Sequence, residues 1–297
     1  MKKIGMVGIG MMGHGIATNV RKAGYPLGVL EHPGNQPLDG LLAQGAAAYG
    51  SARELAADSE VVILCVTGSP QVEAVLCQPD GVLEGLRQGC VIIDCSTAIP
   101  SSTLRIAGQV AERGGRFLDA PMTRTPKEAA EGRLNLLVGG DRALFDEMLP
   151  LLQSFAENIT HTGPVGSGHR MKLLHNFVSL GQVALLGEAA ACAARADIDP
   201  AVLVEVLAKG GGGGAALERV KPYLLNRDPN ALRFTLANAN KDLGYYAQMA
   251  LDSEAAHEIA DSVGATFKRL AAVAPERYAS ELASLLNELR GQTPHGV

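Results

Sequence analysis

Residues 2–20, KKIGMVGIGMMGHGIATNV, set the reading of everything downstream. Ile4, Met6, Val7 and Ile9 make a short apolar run suited to a strand buried on both faces. Ile16, Ala17, Val20 and Ala23 then recur at helical spacing. Between strand and helix, Gly8, Gly10 and Gly13 stand in G-x-G-x-x-G order. Each glycine is expected to serve differently. Gly8 permits the tight turn, Gly10 lets the backbone approach a pyrophosphate, and Gly13 lets helix pack on strand. The helix start at Met11, Met12 and Gly13 offers backbone N–H groups to an anion. The unit reads as the opening of a dinucleotide-binding βαβ.

Context gives the glycines their weight, because Gly supplies 35 of the 297 residues and chance matches occur. A second apolar run, Leu27 to Leu30, ends in Glu31, about 20 residues beyond the turn, where the dinucleotide fingerprint places a ribose-binding acid. A carboxylate there accepts from both ribose hydroxyls and repels a 2′-phosphate. Glu31 therefore favours NAD, with NADP the weaker candidate; the alternative is a solvated strand end.

Composition narrows the partners. The hydrophobic fraction is 47%, the charged fraction 19%, and the net charge −5 without a basic cluster, which argues against nucleic acid or an anionic membrane. A small molecule is the expected partner. By this reading no apolar run reaches the roughly 18 residues of a membrane span, and the expected location is cytoplasmic. Cys65, Cys77, Cys90, Cys95 and Cys192 form no C-x-x-C, and the histidines form no H-E-x-x-H, so no metal site is expected.

Further along, the region 40–48 reads as a small helix and Ser51 as a helix cap. Glu60 to Val66 reads as a buried strand leading to Thr67. Loops at the carboxyl ends of parallel strands line the ligand crevice, so Val66 and Thr67 are expected along the dinucleotide. Strand Cys90 to Asp94 then places Thr97 near the nicotinamide. A helix over 101–113 and strands over 116–120 and 135–138 complete an open α/β sheet. Beyond Gly163 the signals become helical, and 171–194 reads as one long helix, apolar nearly all round and buried on most sides. The expected architecture is a doubly wound, mostly parallel α/β dinucleotide domain over residues 1–163, then an all-α domain over 164–297.

Three later stretches carry the chemistry: Asp119-Ala120-Pro121-Met122-Thr123-Arg124-Thr125, then Gly163 to Asn176 (GPVGSGHRMKLLHN), then Lys241-Asp242-Leu243-Gly244. Lys172, His175 and Asn176 stand at i, i+3 and i+4, so they share a helix face. A lysine on a mostly apolar helix loses hydration, which brings its amine toward use as a proton donor and acceptor. Together with the opening glycines, these motifs resemble the β-hydroxyacid dehydrogenases over nearly the whole chain and in the same order. The resemblance implies a Rossmann domain, a helical domain, assembly as a homodimer or homotetramer, and hydride transfer between a short 3-hydroxy acid and its semialdehyde. It implies that Lys172 is the acid/base residue, that Asn176 orients substrate with His175 beside it, and that Lys241 lies over the cofactor. It also places the glycines 210–214 near the cleft, although a plain linker serves equally.

One departure bears on substrate. Relatives commonly have Ser-Gly-Gly where this chain has Thr123-Arg124-Thr125. A guanidinium fork matches carboxylate, sulfonate or phosphate, so Arg124, with Thr123 and Thr125, is expected to hold a small anionic substrate. A surface salt bridge is the competing use of Arg124. Imine reduction and a non-catalytic dinucleotide receptor are the competing functions, and the retained Lys172 weighs against both.

Overall fold

A computed structural model describes residues 1–292. The chain divides into two compact units, Met1–Lys172 and Leu173–Val297. The sequence reading places the division at Gly163. In the structure the first turn of the long helix is bound into the first unit by the side chain of Asp119, which accepts from the Gly166 and His169 N–H groups.

The first unit runs β1 (Ile4–Val7), α1 (Met11–Lys22), β2 (Leu27–Leu30), α2 (Asp39–Ala43), β3 (Ala47–Tyr49), α3 (Ala52–Ala57), β4 (Val61–Leu64), α4 (Ser69–Cys77) and α5 (Val82–Gly85). It continues through β5 (Val91–Asp94), α6 (Pro100–Glu112), β6 (Arg116–Asp119), β7 (Met122–Thr123), α7 (Pro126–Ala130), β8 (Leu134–Gly139), α8 (Arg142–Leu152), β9 (Ala156–Gly163) and the start of α9 (Ser167–Arg195). Six strands in the order β3-β2-β1-β4-β5-β6 pair in parallel, and β8 then adds antiparallel to β6 and β7 and parallel to β9.

The central strands are apolar at nearly every position because both faces are covered. Val61, Ile63, Val91 and Ile93 pack on one side with Ile16 and Val20 of α1 and Phe145 and Met148 of α8. Val62, Leu64 and Ile92 pack on the other with Leu55, Leu76, Ile106 and Val110. Asn19, buried in α1, donates to the carbonyls of Ala129 and Ala130 and so fastens α7 to α1. The region 40–48 holds less helix than its composition predicts: α2 ends at Ala43, and Ala47–Tyr49 joins the sheet edge beside β2.

In the second unit α9 continues to Arg195, followed by α10 (Pro200–Lys209), α11 (Ala215–Asn226), α12 (Leu236–Asp252), α13 (Glu258–Val273) and α14 (Leu282–Gln292). Leu180, Val183, Leu217, Val220, Leu243, Phe267, Leu270 and Leu282 form its core. Glycines 210–214 make the turn between α10 and α11, where Gly214 takes φ +131°.

Two expectations for α9 need correction. The helix is long and apolar enough to cross a membrane by length and composition, with mean hydropathy 1.5 over 18 residues. Here its first turn is fixed by buried polar bonds and its later turns supply Leu180, Val183, Ala184 and Leu186 to a core, the use a protein interior makes of such a helix. Nor is it buried on most sides, since Leu174, Val178 and Leu185 are exposed at 43, 56 and 72%. Their spacing of four and seven residues puts them in one stripe.

Candidate active site

At the glycine turn, Gly8 and Gly13 leave no room for a side chain, and Gly10 does. Gly8 sits at φ +89°, and a Cβ there would come 2.3 Å from the Cys65 carbonyl oxygen. A Cβ on Gly13 would meet the Gly8 carbonyl oxygen at 1.9 Å, so helix and strand touch backbone to backbone. A Cβ on Gly10 would meet nothing within 4 Å. Gly10 therefore faces open space at the start of α1, where no side chain caps the helix and no acid occupies the first turn. That arrangement leaves the positive end of the helix dipole and the N–H groups of Met11, Met12 and Gly13 for an anion, and it fits a dinucleotide pyrophosphate.

Parallel register gathers the other cofactor candidates on the same edge. Glu31 follows β2, Gly8 and Gly10 follow β1, Val66 and Thr67 follow β4, and Thr97 follows β5, and these four strands are neighbours in the sheet. Glu31 is exposed, and its backbone N–H is held by the Tyr49 carbonyl. The Val66 N–H donates to Ser96 Oγ at 3.0 Å, which ties the β4 loop to the β5 loop that carries Thr97.

The start of α9 holds a buried polar cluster. Asp119, at 0% exposure, accepts from the Gly166 N–H at 2.7 Å and the His169 N–H at 2.8 Å. The His169 ring is also fully buried, with Nδ1 2.8 Å from Thr103 Oγ1 and Nε2 3.1 Å from the Ser96 carbonyl oxygen. Asp94 Oδ1 accepts from the Ser96 N–H at 2.9 Å. Asp94 Oδ2, buried without a hydrogen bond, lies 3.9 Å from His169 Nε2. Burial raises the Asp94 carboxyl above its ordinary range, against the opposing pull of His169 and Ser96. One turn further along the helix stands Lys172, itself 9% exposed.

In the second unit, Asn176 is oriented from two sides. Its Nδ2 lies 2.6 Å from Asp242 Oδ2, and its Oδ1 lies 3.0 Å from His175 Nδ1. A buried carboxylate only accepts, so the Asn176 atom facing it is the amide nitrogen, and His175 Nδ1 must then carry a hydrogen. Lys241 Nζ is 3.0 Å from the other Asp242 oxygen, an ion pair without hydrogen-bond alignment, and 5.5 Å from the Tyr245 ring centre. Sequence reasoning quoted Lys241 and Asp242 in one stretch but gave a role to Lys241 alone.

The three residues expected to hold an anion are already engaged. Arg124 Nη1 donates to the Arg133 carbonyl and to Glu157, the surface salt bridge that competed with anion binding. Thr123 accepts from Asn135 Nδ2 at 3.1 Å, and Thr125 caps α7 in a capping box with Glu128. Arg124 Nε and Nη2 make no other hydrogen bond among the described residues, and its backbone stands at φ +82°. Asp94, Ser96, Thr103, Asp119 and His169 are further residues of this edge, to which the sequence reading assigned no role, although Asp119 and His169 stand in the stretches it picked out.

Residues 3–163 match the NAD binding domain of 6-phosphogluconate dehydrogenase. Residues 166–286 match the NAD-binding domain of NADP-dependent 3-hydroxyisobutyrate dehydrogenase. The chain is 36% identical over 265 residues to an NAD-dependent L-serine dehydrogenase of Pseudomonas aeruginosa, covering 88% of this chain and 86% of that one. It is 34% identical over 248 residues to a 2-hydroxy-3-oxopropionate reductase of Escherichia coli, covering 84% of each. Among solved structures, a Mycobacterium tuberculosis 3-hydroxyisobutyrate dehydrogenase with L-serine superposes with a TM-score of 0.87 at 26% identity, over 96% of this chain and 99% of that one.

Proposed function

Because the chain belongs to the β-hydroxyacid dehydrogenase family, we propose that it interconverts a short 3-hydroxy acid anion and its semialdehyde, using NAD in preference to NADP. The observation that carries this reading is Lys172, 9% exposed, one helical turn beyond the buried bonds that fasten His169 to Asp119 and Ser96 at the strand ends. The named activities of the relatives point to one substrate type. L-serine, 2-hydroxy-3-oxopropionate and 3-hydroxyisobutyrate each carry a carboxylate at C1 and the reacting oxygen at C3.

In this reading Gly8, Gly10, Met11, Met12 and Gly13 hold the pyrophosphate, and Glu31 binds the adenosine ribose. Val66, Thr67, Thr97 and Lys241 complete the cofactor contacts. Bound there, NAD would supply the hydride acceptor for C3 and NADH the hydride donor. Lys172 takes the hydroxyl proton during oxidation and gives it back to the carbonyl oxygen during reduction. Asn176 has one amide hydrogen beyond its bond to Asp242, and that hydrogen is offered to substrate oxygen, with His175 beside it. Arg124 meets the anion with its Nε–Nη2 edge while Nη1 keeps Glu157, and Thr123 and Thr125 flank it.

The protein acts in the cytoplasm, where its five free cysteines stay reduced. Burial pushes the Cys90 thiol up to about 11, so it remains an unreactive core group. It assembles as a homodimer or homotetramer. The decisive experiment follows nicotinamide absorbance with NADH and a panel of three-carbon semialdehydes, carboxylates and sulfonates, and with NAD and L-serine, glycerate and 3-hydroxyisobutyrate. Turnover of at least one pair is expected. Cofactor binding with no turnover of any would leave a dinucleotide receptor.

A further inference from the structure

The polar cluster under α9 is larger than the capping of one helix requires. We propose that His169 is a positioning residue: its imidazole locks the first turn of α9 to the loop that carries Thr97, and thereby sets where Lys172 holds its amine. This role rests on the reading of Lys172 as the proton donor and acceptor.

Three bonds from one residue reach three elements. The His169 N–H donates to Asp119 at the end of β6, Nε2 meets the Ser96 carbonyl just past β5, and Nδ1 meets Thr103 in α6. The Ser96 carbonyl only accepts, so Nε2 is the donor of that bond. Thr103 Oγ1 also lies 3.1 Å from the Ile99 carbonyl, so its single hydroxyl hydrogen stands between two acceptors. A fully buried imidazole is costly to desolvate unless both nitrogens are bonded, and both are. An apolar side chain of the same volume would keep the backbone bond to Asp119 but lose both ring bonds, and it is those directional bonds to the Ser96 loop and to α6 that fix the helix's rotation.

The helix has no slack at this point. A Cβ on Gly168 would come 2.3 Å from the Leu137 carbonyl oxygen and 2.7 Å from that of Asp119, so the backbone of α9 rests on the strand ends themselves. Ser96 is bonded on its other side to Val66, and Thr97 is the next residue. His169 thus sits between the loops expected to carry the nicotinamide and the turn of helix that carries Lys172. Rotation or withdrawal of that turn would move the amine, and a misplacement of about 1 Å at a reacting group costs about 100-fold in rate.

The test compares His169→Leu, His169→Gln and Thr103→Val with Lys172→Ala on the full-length protein, reading kcat, each KM and the pH profile of kcat. His169→Leu should lower kcat by about 100-fold, leave both KM values within about threefold, and displace the limb of the kcat profile that belongs to the lysine. His169→Gln keeps a donor within reach of Ser96 and should recover about tenfold of that loss. Thr103→Val is nearly isosteric and keeps the test alive if His169→Leu does not fold; it should lower kcat by about tenfold in the same pattern. The inference is overturned if kcat and its pH limb are unchanged, if the loss lies wholly in KM, or if Gln does no better than Leu. Turnover retained in Lys172→Ala would instead overturn the lysine reading on which the inference stands.

Discussion

Arg124 stands at φ +82°, in a region where a side chain crowds its own backbone and glycine alone fits without strain. Keeping arginine there costs about 1 kcal/mol of backbone strain. Arg124→Gly should therefore be more stable than Arg124→Ala by about 0.5–1 kcal/mol in urea denaturation, because only the alanine retains the strain. Both variants should raise KM for an anionic semialdehyde more than for an uncharged analogue. Equal KM effects on the two substrates would reduce Arg124 to its bridge with Glu157. At Lys172 the expectation is sharper: Lys172→Ala should cut kcat by about 100- to 10,000-fold while NAD affinity, read by NADH fluorescence, moves by less than about threefold. A large loss of NAD binding would show that the amine serves the cofactor and not the proton. Glu31→Ala should narrow the preference for NAD over NADP by about tenfold, the effect of losing one charged contact of roughly 1.4 kcal/mol. An unchanged ratio would make Glu31 the solvated strand end that competed with the ribose contact. These residues stood out in the sequence because their chemistry is written locally: a carboxylate after an apolar run, a lysine on an apolar helix. His169, Asp119 and Asp242 stand in stretches the sequence picked out, but their contacts were not legible, because each bonds a partner 47 to 73 residues away.

The elements follow the same division. β1, β2, β4 and β5 are mostly apolar runs, and β6 sets Phe117 and Leu118 between Arg116 and Asp119; all five were read from sequence within a residue or two, since central parallel strands are covered on both faces. β3 and β9 are edge strands with most of their residues at least partly solvated, so their alanine, asparagine and threonine give no buried-strand signal. The segment after β6 was legible only as far as β8. The helix α8 nevertheless has a feature that can be measured. Glu147, on α8, is held by Arg116 at the start of β6 and by Lys2 before β1, and these two cations, Arg116 first, bring its carboxyl down to about 2. A carboxylate whose folded pKa is depressed stabilises the fold fully above its unfolded value of about 4.3, and that contribution disappears as pH falls toward the folded value. The window is therefore about pH 4.5 to 2. Glu147 is 37% exposed, so solvent screening limits the effect to about 1 kcal/mol. Urea denaturation at pH 6 and pH 3 should show wild type losing about 1 kcal/mol more than Glu147→Gln across that interval. Parallel losses in the two proteins would mean that the bridge contributes nothing to the packing of α8 on β6.

For the whole molecule, the long helix α9 is where sequence and structure differ most instructively. Its apolar periodicity runs all round, which from sequence reads as burial on most sides, yet Leu174, Val178 and Leu185 lie exposed at 43, 56 and 72% in a single stripe. In the homo-oligomer proposed above, this stripe of exposed leucine and valine is the surface that a second copy of the chain would cover. Two-fold pairing would place each stripe against its counterpart, so that one substitution acts twice in a dimer. Burying a leucine contributes about 1.5–3 kcal/mol, and an aspartate in its place adds a desolvated charge facing an identical charge. Leu185→Asp should therefore weaken self-association by at least about 100-fold, seen as a shift to smaller species in sedimentation velocity at micromolar concentration. Leu251→Asp, at an exposed leucine of α12, controls for a general effect of surface charge and should leave the sedimentation profile unchanged. If Leu185→Asp sediments as wild type does, the stripe is not the contact between copies.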